Sequence, residues 1–220
     1  MSNLEVSKSD VYDRFCEETD AMFARYNAAA AQVIRTMTKE KLSSATMHPD
    51  GFIKLQIGPE DFAANGQVRL HFWVPGRLGT KQPHSHPWHL ASRNLVGTYT
   101  EFLPRLAEDD GAKLNRYQIS YPSGKDQRAG ITVPERHKLY RKEDGAAQIT
   151  PEGMNHYLPA GPIHMSSPDG AGGITLAVMS RRFSDEANFY AEELTDFDAS
   201  VSSEDAEVVM DMIQQVRTQL

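Results

Sequence analysis

Histidine is the residue type in this sequence that points most directly to chemistry. Two of the eight histidines stand two residues apart in the segment His84-Ser85-His86. Side chains two apart on a β-strand point to the same face, so both imidazoles can meet one ion. Neutral imidazole suits a borderline transition metal such as Fe, Zn, Ni, Cu or Mn. The pair by itself is weak evidence for a metal site, because surface strands carry such pairs by chance.

A third histidine follows a predicted turn later in the chain. Gly153, Pro159, Gly161 and His164 have the spacing G-x5-P-x-G-x2-H. The Pro-Ala-Gly segment predicts a tight turn that ends one strand and begins the strand that carries His164. Inward positions of opposed strands face one cavity in a small barrel, so this histidine can complete a site begun by the first pair.

These spacings resemble the two signature motifs of the cupin superfamily. The first motif reads G-x5-H-x-H-x3/4-E-x6-G and is matched at His84, His86 and Gly97, while Gly79 is one residue nearer than usual. The second reads G-x5-P-x-G-x2-H-x3-N and is matched at its glycines, proline and histidine. The resemblance covers about residues 50 to 182. It implies a double-stranded β-helix, or jelly-roll barrel, in which the three motif histidines hold a metal ion.

Pro168 stands where the second cupin motif has asparagine, and a further departure, in the first motif, bears on the metal site. The motif glutamate falls at position 90, where this chain has Leu90. A site with three histidines and no carboxylate resembles that of the thiol dioxygenases, the cupin branch typified by cysteine dioxygenase. The resemblance implies Fe(II) as the metal, with Zn, Ni, Mn or Cu as alternatives. The Ser-His-Tyr relay of that branch is not evident after the third ligand, which argues against a thiol substrate.

Three further residues are candidate catalytic groups. Glu101 could supply the missing carboxylate from the strand after Gly97, and Tyr99 shares its strand face. His89 is a fourth ligand, an acid or base at the mouth of the site, or an exposed imidazole. The solvent-facing alternative stays open for all three.

Arg69, His71, Arg93 and Trp88 are the candidate substrate-binding residues. Arg69 and His71 lie opposite the apolar face of their strand, so they would bind an anion if that face lines the cavity. A surface position is the alternative. The remaining histidines have no motif context and are interpreted as structural; they are His48, His137 and His156.

The elements that position these residues are short strands bracketed by helices. Alternating runs between glycines and prolines predict an antiparallel β-barrel over residues 51–182, with no helix inside it. Apolar residues at helical spacing predict a helix over residues 9 to 41. Further helices are predicted from Asp185 to Leu194 and from Ser203 onward. The chain is thus divided into helical extensions at 1–50 and 183–220 around the barrel.

The composition limits the classes of function. Lys and Arg total 23 against 30 Asp and Glu, a formal net charge of −7, which argues against nucleic acid as a partner. No apolar run approaches the length of a membrane-spanning helix, and no secretory signal is visible near the start. We therefore expect no membrane partner and a cytoplasmic location. The single cysteine, Cys16, excludes a disulfide framework and a cysteine-rich metal site.

The resemblance implies an Fe(II)-dependent dioxygenase that acts with O₂ on a small polar or anionic molecule. Three neutral ligands would leave the ion its full charge and open positions for a chelating anion beside O₂. Isomerase or lyase chemistry with a redox-inert Lewis acid is the first alternative. A non-enzymatic cupin that binds a metal or small ligand is the second. Cupins are often dimers, so a homodimer is expected.

Overall fold

Most of the middle of the chain forms short β-strands, separated by turns at glycine and proline. The computed structural model describes residues 8–58, 66–77, 82–120, 130–132, 138–193 and 198–217. Within these residues the strands are β1 Thr46–Met47, β2 Phe52–Gln56, β3 Gln67–Trp73, β4 Leu90–Val96, β5 Tyr99–Glu108, β6 Leu114–Ser120, β7 Gly130–Thr132, β8 Leu139–Thr150, β9 Asn155–Leu158, β10 Met165–Pro168, β11 Gly173–Met179 and β12 Glu186–Ala191.

The strands form two antiparallel sheets. The order is β1-β2-β3-β11-β4-β9 in the first sheet and β10-β5-β8-β6-β12 in the second, where β7 also pairs with β6. Every pair among the described strands is antiparallel. Two such sheets, in which neighbouring strands are often distant in the chain, make a jelly roll. The prediction of an all-β jelly-roll core with helices at both ends is confirmed.

The helices in the described residues are α1 Lys8–Arg35, α2 Lys39–Ser43 and α3 Ser203–Val216. The single helix predicted over residues 9 to 41 is therefore interrupted. Thr38 has an extended backbone, and its side-chain oxygen accepts a hydrogen bond from the Lys41 N–H at 3.3 Å. The hydroxyl satisfies one of the free N–H groups at the start of α2, which stabilises a new helix start at this point.

The prediction of a helix from Asp185 to Leu194 is wrong. Its described part contains strand β12, which pairs with β6 from Glu186↔Ser120 to Ala191↔Asn115; Leu194 lies outside the described residues. Intrinsic propensities differ little between residues, and pairing along a sheet edge outweighs them. The second sheet therefore extends beyond residue 182, where the predicted barrel ends.

Strand β3 shows how the first sheet separates a helix-covered face from an inner face. Val68, Leu70 and Phe72 are fully buried in a core shared with the helices. Successive side chains of a strand point to opposite faces, so Arg69 and His71 lie on the inner side. The helices add Phe23, Ile34, Leu42, Val209 and Ile213 to this core. Burial of each such side chain contributes roughly 1.5–3 kcal/mol to the stability of the fold. The apolar core on the outer face therefore stabilises a sheet whose inner face carries polar groups.

The helices pack on the outer face of the first sheet. In the part of the chain that the structure describes, no helix combines the length and the apolar character needed to cross a membrane.

Candidate metal centre

The two histidine motifs meet through their backbones. His84 and His164 form an antiparallel bridge, with N–H···O=C hydrogen bonds of 3.0 and 2.8 Å in the two directions. The Gly161 N–H also donates to the carbonyl of His86 at 3.0 Å. Gly161 has φ of +103°, a conformation that favours glycine. These contacts bring His84, His86 and His164 to one place although the motifs are far apart in the chain.

The three imidazoles converge. Their ligand nitrogens all lie within 4.8 Å of one another, and Nε2 of His86 is 3.4 Å from Nε2 of His164. Nε2 atoms that lack a donor between them would repel through their lone pairs, whereas a cation between them is attracted to both. The group of His84, His86 and His164 could therefore hold a metal ion.

Hydrogen bonds on the far side of two rings leave their Nε2 atoms available. His84 Nδ1 is 3.0 Å from the Gln82 carbonyl oxygen, and His164 Nδ1 is 2.5 Å from Glu101 Oε1. A proton on Nδ1 directs the Nε2 lone pair toward the centre of the group. Burial lowers the pKa of both His86 and His164 well below the usual value, which keeps these imidazoles neutral. Neutral imidazole is the form that binds a metal.

Glu101 stands behind His164 and does not join the ligand group. Its Oε1 contacts His164 Nδ1, while its Oε2 accepts a 2.5 Å hydrogen bond from the Tyr99 hydroxyl. The pairing of β5 with β10 explains this position, because it sets Glu101 opposite Ser166, whose hydroxyl donates to the same carboxylate. The interpretation that Glu101 supplies the missing carboxylate to the metal is not what the geometry supports. The carboxylate instead contacts the ring nitrogen of His164 that faces away from the group.

The Glu101 carboxyl is fully buried. Burial raises its pKa to about 7, although the hydrogen bond from Tyr99 and the nearby His156 act in the opposite direction. The pKa of the Tyr99 hydroxyl is raised well above its usual value, first by burial and then by the charge of Glu101. Tyr99 also lies 2.7 Å from Ser166 Oγ. A hydrogen-bonded path therefore runs from side chains at the centre to a buried carboxyl that titrates near neutrality.

A cavity of about 60 Å³ adjoins the three histidines. Three of the four predicted substrate-binding residues line it: Arg69, His71 and Trp88, the last stacked on His86 with ring centroids 5.1 Å apart. Arg93 does not, because Leu90 and Ser92 line the cavity and Arg93 therefore points to the opposite face of β4. Such a volume is far below that of pockets for drug-sized ligands, which favours a small ligand.

Comparison with known proteins adds distant structural likenesses. No family model matches the chain, and no curated protein matches it. An oxalate oxidase structure is 14% identical with a TM-score of 0.38, over 83% of this chain and 82% of that one. L-ribose isomerase from Cellulomonas parahominis, solved with L-ribose, is 13% identical with a TM-score of 0.33, over 80% and 84%. A cupin-like protein from Thermotoga maritima is 14% identical with a TM-score of 0.28, over 73% and 85%. Likenesses at this level carry no argument for a particular substrate or reaction.

His89 lies on the other side of the sheet from the cavity. Its Nδ1 accepts a hydrogen bond from the Ala160 N–H at 2.9 Å. Its ring contacts Tyr12, Phe15 and Phe183, with centroid separations of 4.5 to 5.4 Å. These contacts place His89 between α1 and the sheet, in keeping with its odd parity relative to the first pair. A role as a fourth ligand is not supported by this position.

Sequence reasoning missed three residues of the site. His48 and Asp50 line the cavity, and buried His156 has its Nε2 3.6 Å from Glu101 Oε2. His48 and His156 had been interpreted as structural for want of a motif. The only local signal was parity: His156 lies two residues before Leu158, on the face of β9 that is buried. His137 and Gly79 lie outside the described residues.

Proposed function

We propose that this protein is a mononuclear metal enzyme that acts on a small anionic molecule, with Fe(II) as its metal and O₂ as co-substrate. The observation that carries the proposal is the convergence of His84, His86 and His164 beside a small cavity that Arg69 also lines. A bound ion would supply redox or Lewis-acid chemistry at this point. The cupin resemblance of the motifs supports the same assignment.

The cationic wall of the cavity supports an anionic substrate. The register of β2 and β3 pairs Lys54 with His71 and Gln56 with Arg69, so Lys54 and Arg69 share one face of the sheet. Burial and the charge of Arg69 lower the pKa of Lys54 to about 8. A guanidinium can hold a carboxylate in a fixed orientation through two hydrogen bonds.

Aromatic side chains complete the enclosure. Phe52, Trp73 and Trp88 are nearly fully buried and line the cavity. They exclude bulk water, and in a site of low dielectric constant each charge–charge contact with a substrate is stronger. The small volume restricts the substrate to a few heavy atoms, so the protein selects by size as well as by charge.

One observation favours a second candidate, non-redox proton transfer by an isomerase or lyase. Tyr99 and Ser166 line the cavity and bond to Glu101, whose pKa of about 7 allows it to give or take a proton near neutrality. Such a pKa is suited to general acid–base catalysis. In this reaction the Tyr99 hydroxyl would pass a proton between the substrate and Glu101. A non-enzymatic ligand-binding role is the remaining alternative.

Metal analysis of protein purified without added metal distinguishes the candidates. We expect stoichiometric iron, and O₂ uptake with one or more members of a panel of two- to four-carbon hydroxy, keto, amino and thiol acids. A redox-inert metal without O₂ uptake would favour the second candidate, and the absence of metal would contradict both.

His164→Ala should lose the metal. His89→Ala is the matched control, because it removes a buried imidazole outside the cavity and should retain the metal.

A further inference from the structure

Asp50 brings a carboxylate to the metal centre from outside both motifs. It precedes strand β2, lines the cavity, and has a side chain that is only 9% exposed. Its Oδ2 lies 3.8 Å from His84 Nε2, the ring nitrogen that is not bonded to the Gln82 carbonyl. The same oxygen is 3.5 Å from His48 Nδ1. A carboxyl group is therefore held beside one of the predicted metal ligands.

The position of Asp50 is set by a tight turn. The Gly51 N–H donates to the His48 carbonyl at 2.9 Å, and Gly51 has φ of +85°. The His48 ring stacks on Phe52 with centroids 4.3 Å apart, and the Val74 N–H donates to the Gly51 carbonyl at 3.2 Å. The turn is thus tied to both β2 and the end of β3, and the carboxylate is a built feature of the cavity wall.

The Asp50 carboxylate lacks a hydrogen-bond donor within the described part of the chain. Its backbone N–H donates to His48 Nδ1 at 3.3 Å, so that nitrogen is an acceptor and cannot also donate to the carboxylate. Buried carboxylates are otherwise paired or hydrogen-bonded, because an isolated buried charge is strongly unfavourable. Burial raises the pKa of the Asp50 carboxyl, and a cation that faces the cavity, or a donor bound to one, would stabilise its charged form.

The three imidazoles lack the negative charge that a bound cation would need. They are neutral ligands, and Leu90 occupies the position where the cupin motif has a glutamate, so nothing in the ligand group offsets the charge of a divalent ion. Asp50 does not belong to the set of ligand atoms within 4.8 Å of one another. It stands next to that set, on the His84 side, where it can act on the ion through space and through a hydrogen bond to a group bound there.

We propose that Asp50 is the acidic member of this metal centre. Its carboxylate compensates the charge of the ion held by His84, His86 and His164, and accepts a hydrogen bond from the water or substrate bound at that ion. The proposal rests on the three-histidine centre of the proposed function, and it assigns to a residue outside the motifs the charge that Leu90 does not provide. It predicts that the affinity for the metal itself depends on Asp50.

The test is a measurement of metal affinity that does not involve turnover. Zn(II) and Co(II) would be titrated calorimetrically into metal-free full-length protein at pH 7.5. Asp50→Asn keeps the shape and removes the charge, and we expect the dissociation constant to rise 10- to 100-fold, the range typical of groups that support metal ligands. Asp110→Asn, which removes the same charge from an exposed turn, should leave the dissociation constant within about twofold of wild type.

A second readout separates a metal role from a structural one. Removal of an uncompensated buried charge should leave the melting temperature of the metal-free protein unchanged or higher, while the increase on adding Zn(II) becomes smaller. Asp50→Ser gives the same comparison with a smaller side chain. Wild-type affinity in Asp50→Asn, with metal binding lost in His164→Ala, would overturn the role of Asp50 alone. Absence of metal binding in the wild-type protein would overturn the proposed function as well.

Discussion

Glu101 provides a sharp test of the buried network because its carboxyl is fully enclosed and changes charge near neutral pH. Its pKa is raised from the ordinary 4.5 to about 7, chiefly by burial. We consider Glu101→Gln in metal-free protein, since the amide has almost the same shape and does not titrate. The Gln side chain can still accept from His164 Nδ1 and bond to Tyr99, so packing is largely retained.

The sign and size of the effect follow from proton linkage. A raised folded-state pKa means that the folded protein binds the Glu101 proton more tightly than the unfolded chain does. The associated stability is fully present below about pH 4.5 and is lost as the pH rises through about 7. Each pKa unit corresponds to 1.36 kcal/mol, so a shift of this size is worth about 3 kcal/mol. Between pH 4.5 and 8, the free energy of unfolding of the wild-type protein should fall by this amount relative to that of Glu101→Gln.

Urea unfolding with a metal chelator, at pH 5 and pH 8, measures the difference. Buried histidines that do not contact Glu101 also make stability depend on pH, but they are common to both proteins and cancel in the comparison. His156 is 3.6 Å from Glu101, whose charge acts to raise the His156 pKa, so it contributes to the measured difference. Glu17→Gln, which makes the same substitution at an exposed position on α1, is the matched control. If the free-energy difference between wild type and Glu101→Gln is the same at both pH values, the burial argument is refuted.

Three further predictions concern the metal group and the frame that holds it. Leu90→Glu should tighten Zn(II) binding and weaken binding of a small carboxylate, because the new charge competes with the anion. Calorimetric titration with each ligand measures both affinities, and a fall in the affinity for Zn(II) would contradict the prediction. Gly161→Ala should cost about 1–3 kcal/mol in urea unfolding, since φ of +103° is strained for alanine, whereas an unchanged midpoint would mean that the turn relaxes freely. Thr38→Ala should cost about 1 kcal/mol through loss of the α2 cap, and an effect no larger than that of Thr46→Ala would rule out capping as the reason.

Alternating runs between turn residues were enough to predict the all-β core, and the motif spacings were enough to select the three histidines. This was possible because the information is local: a glycine at positive φ, a Pro-Ala-Gly turn and a two-residue repeat each restrict the backbone within a few residues. Gly97 and Gly161 have φ of +82° and +103° as such positions require. Parity in β3 likewise placed Arg69 and His71 on a common face, although it did not say which face was inside.

Other parts of the structure depended on contacts between distant segments. β12 forms because β6 offers a free edge, and a sequence that also suits a helix gives no sign of that partner. Glu101 supports His164 because β5 pairs with β10 in one register; a shift of one residue would turn the carboxylate to the other face. That register is set across the sheet, so the role of Glu101 could not be derived from its own segment.

Asp50 shows the same limit at the centre of the site. Nothing in its own segment relates it to the histidine motifs, and its neighbours suggest only a turn. Asp50 reaches His84 because β2 pairs with β3 in the first sheet. The bridge to His164 holds the His84 segment beside the same cavity. The sequence alone determined which imidazoles could bind a metal, since ligand type and local spacing are properties of short segments. Which acidic groups stand beside them was decided by the pairing of strands, because charges far apart in the chain interact only after the fold brings them together.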